Sequence, residues 1–191
     1  MNLPNKLTMI RVVSIPVFVW VFFGPMSQGE GPEYANRGIW ALLPLIIFVA
    51  ASLTDMLDGM IARKHGLVTD FGALMDPLAD KLLVMAAMVC LMAVGIISPV
   101  KVIVILGREF MVTSIRLVAA GKGSVISADK FGKAKTVSQM VWIAFGLLIY
   151  GVPNIPIPLG AIAGLGWLVV ALTVLSGANY LVRNRYLLAD A

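Results

Sequence analysis

Six apolar runs, each about as long as a helix that crosses a bilayer, fill most of this 191-residue chain. A hydrocarbon core of ~30 Å takes about 20 helical residues. The runs lie at 8–24, 38–62, 71–95, 99–121, 133–151 and 157–182. They are continuously apolar, whereas the strands of a membrane barrel alternate over about ten residues, so helices are expected. The composition leaves little else open: 60% of residues are hydrophobic and 13% charged, with a mean hydropathy of +0.94, against about a quarter charged in ordinary soluble domains. The expectation is an all-α polytopic membrane protein of six transmembrane helices, one domain over 1–191, with neither internal repeat nor low-complexity tail.

The breaks between runs have chemical causes. The stretch 25–37 is rich in Gly, Pro and polar residues, and the charge-free stretch from Thr136 to Val182 is interrupted by Gly151-Val-Pro-Asn-Ile-Pro-Ile-Pro158, which cannot continue a helix. The basic, then apolar N-terminus lacks a small-residue cleavage pattern and reads as a retained first span. A single cysteine, Cys90, excludes a disulfide framework within the chain, so helix packing must hold the fold.

Six spans put both termini on one side. Lys6, Arg11, Arg63, Lys64, Arg116, Lys122, Lys130, Lys133, Lys135, Arg183 and Arg185 fall at that face, and only Arg37 and Lys101 at the other. Basic loops face the cytoplasm, so the termini and the polar end of the bundle are predicted to be cytoplasmic. The excess of 15 Lys and Arg over 10 Asp and Glu, with a pI of about 9.6, then speaks of an anionic leaflet or an anionic substrate, not of nucleic acid.

Four aspartates lie in or beside the second and third apolar runs. An ionised Asp at mid-bilayer costs ~2.5–3.5 kcal/mol on insertion scales, so four need cations or a wet cavity. Asp55 and Asp58 stand at i, i+3 on one face with Gly59 and Ala62; Gly72, Asp76 and Asp80 stand at i, i+4, i+8 on the next helix. The short link from Arg63 to Phe71 makes the two helices antiparallel neighbours, and the four carboxylates can converge. Like charges so close repel unless cations hold them ionised. All-oxygen ligands without a His or Cys cluster suit Mg²⁺ or Mn²⁺ better than zinc, and such ions act on phosphate esters. Gly59 and Gly72 expose backbone to a bulky ligand, and Arg63, one turn beyond Gly59, can neutralise phosphate. On chemistry alone, an enzyme and a proton or cation transporter stand level.

The order of the residues separates them. Asp55-Met-Leu-Asp58-Gly59-Met-Ile-Ala62-Arg63, eight residues, Gly72, then Asp76 and Asp80 resembles D-x2-D-G-x2-A-R-x8-G-x3-D-x3-D, the signature of the CDP-alcohol phosphotransferases. All eight fixed positions match, a coincidence on the order of 10⁻¹⁰ per starting position at average usage. The resemblance implies six transmembrane helices around a polar cavity open to the cytoplasm, commonly in a homodimer. It implies two divalent cations that hold the CDP diphosphate, with Asp55, Asp58 and Asp76 as ligands, and Asp80 as general base close to a metal. Gly59, Arg63, Gly72 and Thr69 would meet the CDP-lipid. Pro4-Asn5-Lys6-Leu7-Thr8 is similar to the family's P-x-x-x-T at the first helix, where Asn5 and Thr8 would touch the nucleotide; read without the family it is a helix cap at the interface.

Arg108, Glu109 and Arg116 occupy the fourth run, and Lys122, Lys130, Lys133 and Lys135 follow. Arg108 and Arg116, eight apart, share a helical face, and Lys133 and Lys135 stand near a helix start that favours phosphate. Arg108, Arg116, Lys133 and Lys135 are therefore candidates for a phosphate on the acceptor, Lys122 and Lys130 read more simply as loop charge, and Glu109 as the partner of an arginine. The run Gly107-Arg108-Glu109-Phe-Met-Val-Thr-Ser-Ile-Arg116, with Gly132-Lys133-Ala-Lys135-Thr136, resembles the bacterial branch of the family that makes phosphatidylglycerophosphate, and the N-terminal Asn-Leu-Pro-Asn-Lys-Leu-Thr with Arg11 is similar too. Many relatives carry Ala where this chain has Gly107. The resemblance implies transfer of the phosphatidyl group of CDP-diacylglycerol to sn-glycerol 3-phosphate, releasing CMP, in a bacterial cell membrane. An inositol-phosphate acceptor is the alternative within the family. His65 reads as an interfacial loop residue, Cys90 and most methionines as apolar packing, and Pro77, which removes a backbone donor beside Asp76, as a bend in the third helix.

Overall fold

In a computed structural model, the protein is described over residues 3–24, 38–65, 70–122, 130–152, 155–156 and 158–185. Among the described residues there are six α-helices and no strand: α1 Leu3–Phe23, α2 Leu43–His65, α3 Asp70–Ala93, α4 Pro99–Gly121, α5 Lys130–Gly151 and α6 Leu159–Arg183, with a 3₁₀ helix Gly38–Leu42 before α2. The six apolar runs and the six helices coincide, and the differences lie at the ends. The first helix starts at Leu3, not near Thr8, because Pro4 suits a first turn and the polar residues after it are helical too. The second run begins with a tighter 3₁₀ turn, and the α-helix starts one residue ahead of Pro44, again a first-turn position. The proline-rich break holds: α5 ends at Gly151, and Pro158, extended at φ −61° and ψ 128°, caps α6. The third helix continues through Pro77.

The described residues gather into two compact units. The first comprises 1–96 and 143–156, so it holds α1, α2, α3 and the end of α5; the second comprises 97–142 and 157–191, with α4, the start of α5 and α6. In the first unit α1 packs on both α2 and α3, and α2 on α3, around Phe18, Phe22, Phe48, Leu83, Met88 and Leu147. Cys90 is buried among them, as apolar packing predicts. The carbonyl of Phe22, in the last turn of α1 where no helical donor remains, accepts the Tyr150 hydroxyl at 2.7 Å, and the two rings stack with centroids 4.1 Å apart.

In the second unit α4 packs on α6 through Val112, Ile115, Ala119 and Tyr180. The Trp142 indole N–H donates to the Ile162 carbonyl at 3.1 Å, and its ring lies where Gly166 has no side chain: a Cβ there would meet ring atoms at 2.7–2.9 Å. Lys101 stands in the first turn of α4, buried, and donates to the Ala163 carbonyl at 3.0 Å with Trp167 beneath it.

Large apolar side chains also point outward. Ile10, Trp20, Ile103, Leu117, Val137 and Val182 are 62–68% exposed, a surface that costs free energy against water and none against lipid tails. Hydroxyls on the helices close on their own backbone, as Ser52 does on the Phe48 carbonyl and Thr173 on that of Val169. Among the described residues one helical stretch, Gly160–Arg183, is both long and apolar enough to cross a membrane, and Met9–Phe23, Trp40–Thr54 and Lys81–Ala93 are shorter apolar helices.

Candidate functional site

The acidic series belongs to the first unit. Asp55, Asp58, Gly59 and Arg63 occupy the C-terminal half of α2, and Gly72, Asp76 and Asp80 the N-terminal half of α3. Because α2 and α3 pack together and only four residues separate them, the ends that carry the aspartates are the ends that the link joins. The spacing expected from the sequence is therefore preserved as helical register: i, i+3 on one helix and i, i+4, i+8 on its neighbour. Asn5 and Thr8 fall within α1, so the pair is not a helix cap. Thr69 lies outside the described residues, as do the side chains of Asn5, Thr8, Asp55, Asp58, Arg63, Asp76 and Asp80. The donor set is all carboxylate, hard oxygen on two adjacent helices, and suits Mg²⁺ or Mn²⁺ chemically.

The basic residues belong to the second unit, and the structure sorts them into two kinds. Arg108 and Lys135 are turned inward and meet at one carboxylate: Glu109 Oε1 accepts from Arg108 Nη1 at 2.9 Å and from Lys135 Nζ at 2.5 Å. Lys135 is 2% exposed, held on the first turns of α5. Two cations thus share one carboxylate oxygen, in surroundings where charge is costly unless paired. Arg116 and Lys133 are exposed. Arg116 donates from Nε to the Tyr180 hydroxyl at 3.3 Å, with its guanidinium 5.7 Å from the ring centroid. Lys122, at the C-terminal end of α4, is exposed as loop charge should be.

Two residues of this cluster lie in a helix whose sequence reads as plain apolar span. Arg108 Nη2 donates to Ser176 Oγ at 2.7 Å, and Arg116 to Tyr180, so the shared face of α4 predicted from the eight-residue spacing turns towards α6. The signal was available: Thr173, Ser176 and Tyr180 recur at helical spacing on α6 and Asn184 caps its end, all four buried, a polar stripe along a largely apolar helix.

Compared with known proteins, residues 1–177 match the family described as CDP-alcohol phosphatidyltransferase. The chain is 42% identical over 187 residues to the CDP-diacylglycerol--glycerol-3-phosphate 3-phosphatidyltransferase of Bacillus subtilis (strain 168), an alignment that covers 96% of this chain and 95% of that relative. Proteins of the same name from Rickettsia bellii (strain RML369-C) and Salmonella paratyphi A (strain ATCC 9150 / SARB42) are each 35% identical, over 181 and 196 residues; the alignments cover 94% and 99% of this chain and 93% and 98% of the relatives.

Proposed function

Because the chain belongs to the CDP-alcohol phosphatidyltransferase family, we propose that it transfers the phosphatidyl group of CDP-diacylglycerol to sn-glycerol 3-phosphate, giving phosphatidylglycerophosphate and CMP. The observation that carries this reading is the unbroken aspartate series on α2 and α3, in a chain aligned along nearly its whole length with relatives named for that reaction.

Asp55, Asp58 and Asp76 would hold two divalent cations, with Asp80 as the neighbouring base, and such ions, when bound, would supply neutralisation of the CDP diphosphate and of the charge that grows on the phosphorus. Gly59, Gly72, Arg63 and Thr69 meet the CDP-lipid, and Asn5 and Thr8 its nucleotide. Asp80 accepts the proton of the 1-hydroxyl of glycerol 3-phosphate. That oxygen then bonds to the phosphorus attached to diacylglycerol, the bond from this phosphorus to the CMP oxygen breaks, and CMP leaves with the electron pair. The acceptor's own phosphate falls to the cations of the second unit, Arg108, Arg116, Lys133 and Lys135, whose number exceeds what an uncharged alcohol needs.

The six helices serve as six spans, with the termini and the carboxylates on the cytoplasmic side, as the distribution of Lys and Arg favours. The outward-facing Ile10, Trp20, Ile103 and Leu117 support a lipid-covered surface. The donor lipid then reaches the carboxylates laterally, its acyl chains remaining in the cytoplasmic leaflet.

The test is CMP release by the purified protein with CDP-diacylglycerol and Mg²⁺, with and without glycerol 3-phosphate. Release only in the presence of glycerol 3-phosphate is expected. Release with inositol phosphate instead moves the chain to a sister reaction, and a flux of protons or metal ions that needs no CDP-lipid replaces the enzyme by a transporter.

A further inference from the structure

Arg108 is held by more than its neighbour Glu109. Its Nη2 donates to the hydroxyl of Ser176, 0% exposed on α6, at 2.7 Å. Its aliphatic stem crosses α6 at the next residue: a Cβ on Gly177 would stand 3.1 Å from Arg108 Cγ and 3.4 Å from Met111 Cε. Ser176 and Gly177 therefore form a seat, one residue supplying an acceptor and the next the space through which the side chain passes. With Glu109 Oε1 on Nη1 at 2.9 Å, the plane of the guanidinium is fixed at both terminal nitrogens.

The third nitrogen is different. Arg108 Nε is buried and has no hydrogen-bond partner among the described residues. A buried donor without an acceptor is costly, the more so on a charged group. A guanidinium held at both terminal nitrogens, its side chain still 12% exposed, is organised to take an oxyanion on its remaining N–H groups, and a phosphate oxygen matches its geometry. Exposed cations such as Lys133 supply attraction, but a long flexible side chain loses rotamer freedom on binding, and one held beforehand does not.

The geometry points to Ser176 and Gly177 as positioning residues that set affinity for the phosphate of the acceptor by fixing Arg108. This rests on the assignment of Arg108 to that phosphate. Neither residue touches the reacting atoms, and neither belongs to the unit that carries the aspartates, so the effect is confined to one substrate. Ser176→Ala removes the acceptor of Nη2 and frees the guanidinium to rotate. Gly177→Ala keeps that hydroxyl and pushes on the stem, moving the head group by a few tenths of an ångström.

The experiment measures initial rates of CMP release while each substrate is varied in turn, for the wild-type protein, Ser176→Ala and Gly177→Ala in the same detergent. Removing a hydrogen bond to a charged group is worth about tenfold, so Ser176→Ala should raise KM for glycerol 3-phosphate by about that factor and leave KM for CDP-diacylglycerol unchanged. Gly177→Ala should move KM in the same direction by a smaller factor. If the Gly177→Ala protein fails to fold, Ser176→Ala, which removes one oxygen and adds no bulk, decides alone. An unchanged KM for glycerol 3-phosphate in Ser176→Ala, or an equal rise for both substrates, overturns the seat while the wild-type activity stands. A wild-type protein that releases no CMP with glycerol 3-phosphate overturns the acceptor assignment and the seat together.

Discussion

Lys135 and Glu109, twenty-six residues apart, form an ion pair at 2.5 Å in which the ammonium is far the more buried, 2% exposed against 21% for the carboxylate. The same carboxylate oxygen also serves Arg108. Glu109→Ala therefore removes the counter-charge of two cations at once, whereas Lys135→Met leaves Glu109 paired with Arg108. Breaking a buried pair at one partner costs about 3–5 kcal/mol, and Glu109→Ala should approach that range, with Lys135→Met distinctly milder. Thermal unfolding of both variants in one detergent checks the order, and a larger loss for Lys135→Met would refute it.

Asp80→Asn keeps the size of the side chain and removes its basicity. Loss of a positioned general base slows turnover by about 10²–10⁴-fold, and CDP-diacylglycerol binding should persist. Turnover assays paired with equilibrium binding of the CDP-lipid distinguish this from a residue whose main duty is to hold metal, for which binding would fall as well.

Removal of divalent ions by a chelator should abolish CMP release, and Mg²⁺ or Mn²⁺ should restore it, because the carboxylates of Asp55, Asp58 and Asp76 repel one another without cations. Asp58→Asn should raise the Mg²⁺ concentration needed for half-maximal rate. Full activity in excess chelator would exclude the metal assignment.

Tyr150→Phe deletes the hydroxyl that satisfies the Phe22 carbonyl at the end of α1 and keeps the stacked ring. The expected loss is about 1 kcal/mol of stability with no change in either KM. A scan of unfolding temperature beside the two-substrate assay reads both halves of that statement.

Gly166→Ala places a methyl group where the Trp142 ring already lies. Overpacking of this kind costs about 1–3 kcal/mol, and the indole must leave the Ile162 carbonyl to make room. A shift in tryptophan emission together with a lowered unfolding temperature is the expected outcome.

What the sequence reveals depends on how local the determining interaction is. The six helices are legible because each is a run of apolar residues, most of them bounded by prolines and glycines, as Gly151 to Pro158 close α5 and open α6. The aspartate register is legible because i, i+3 and i, i+4 spacings are properties of one helix. The partner of Lys135 is not: nothing beside it in the sequence announces that its ammonium meets Glu109, twenty-six residues earlier. Ser176 escapes for a related reason. A serine in an apolar helix ordinarily satisfies itself on its own backbone, as Ser52 does, and nothing nearby in sequence announces that an arginine sixty-eight residues earlier claims it.

The division of the chain into two units also bears on descent. Asp55 through Asp80 lie wholly in one and Arg108 through Lys135 in the other, so on the reading proposed here the lipid donor and the alcohol are specified by separate stretches of the gene. On that reading a change of acceptor calls for substitutions in α4, the start of α5 and α6, and for none in the aspartate series.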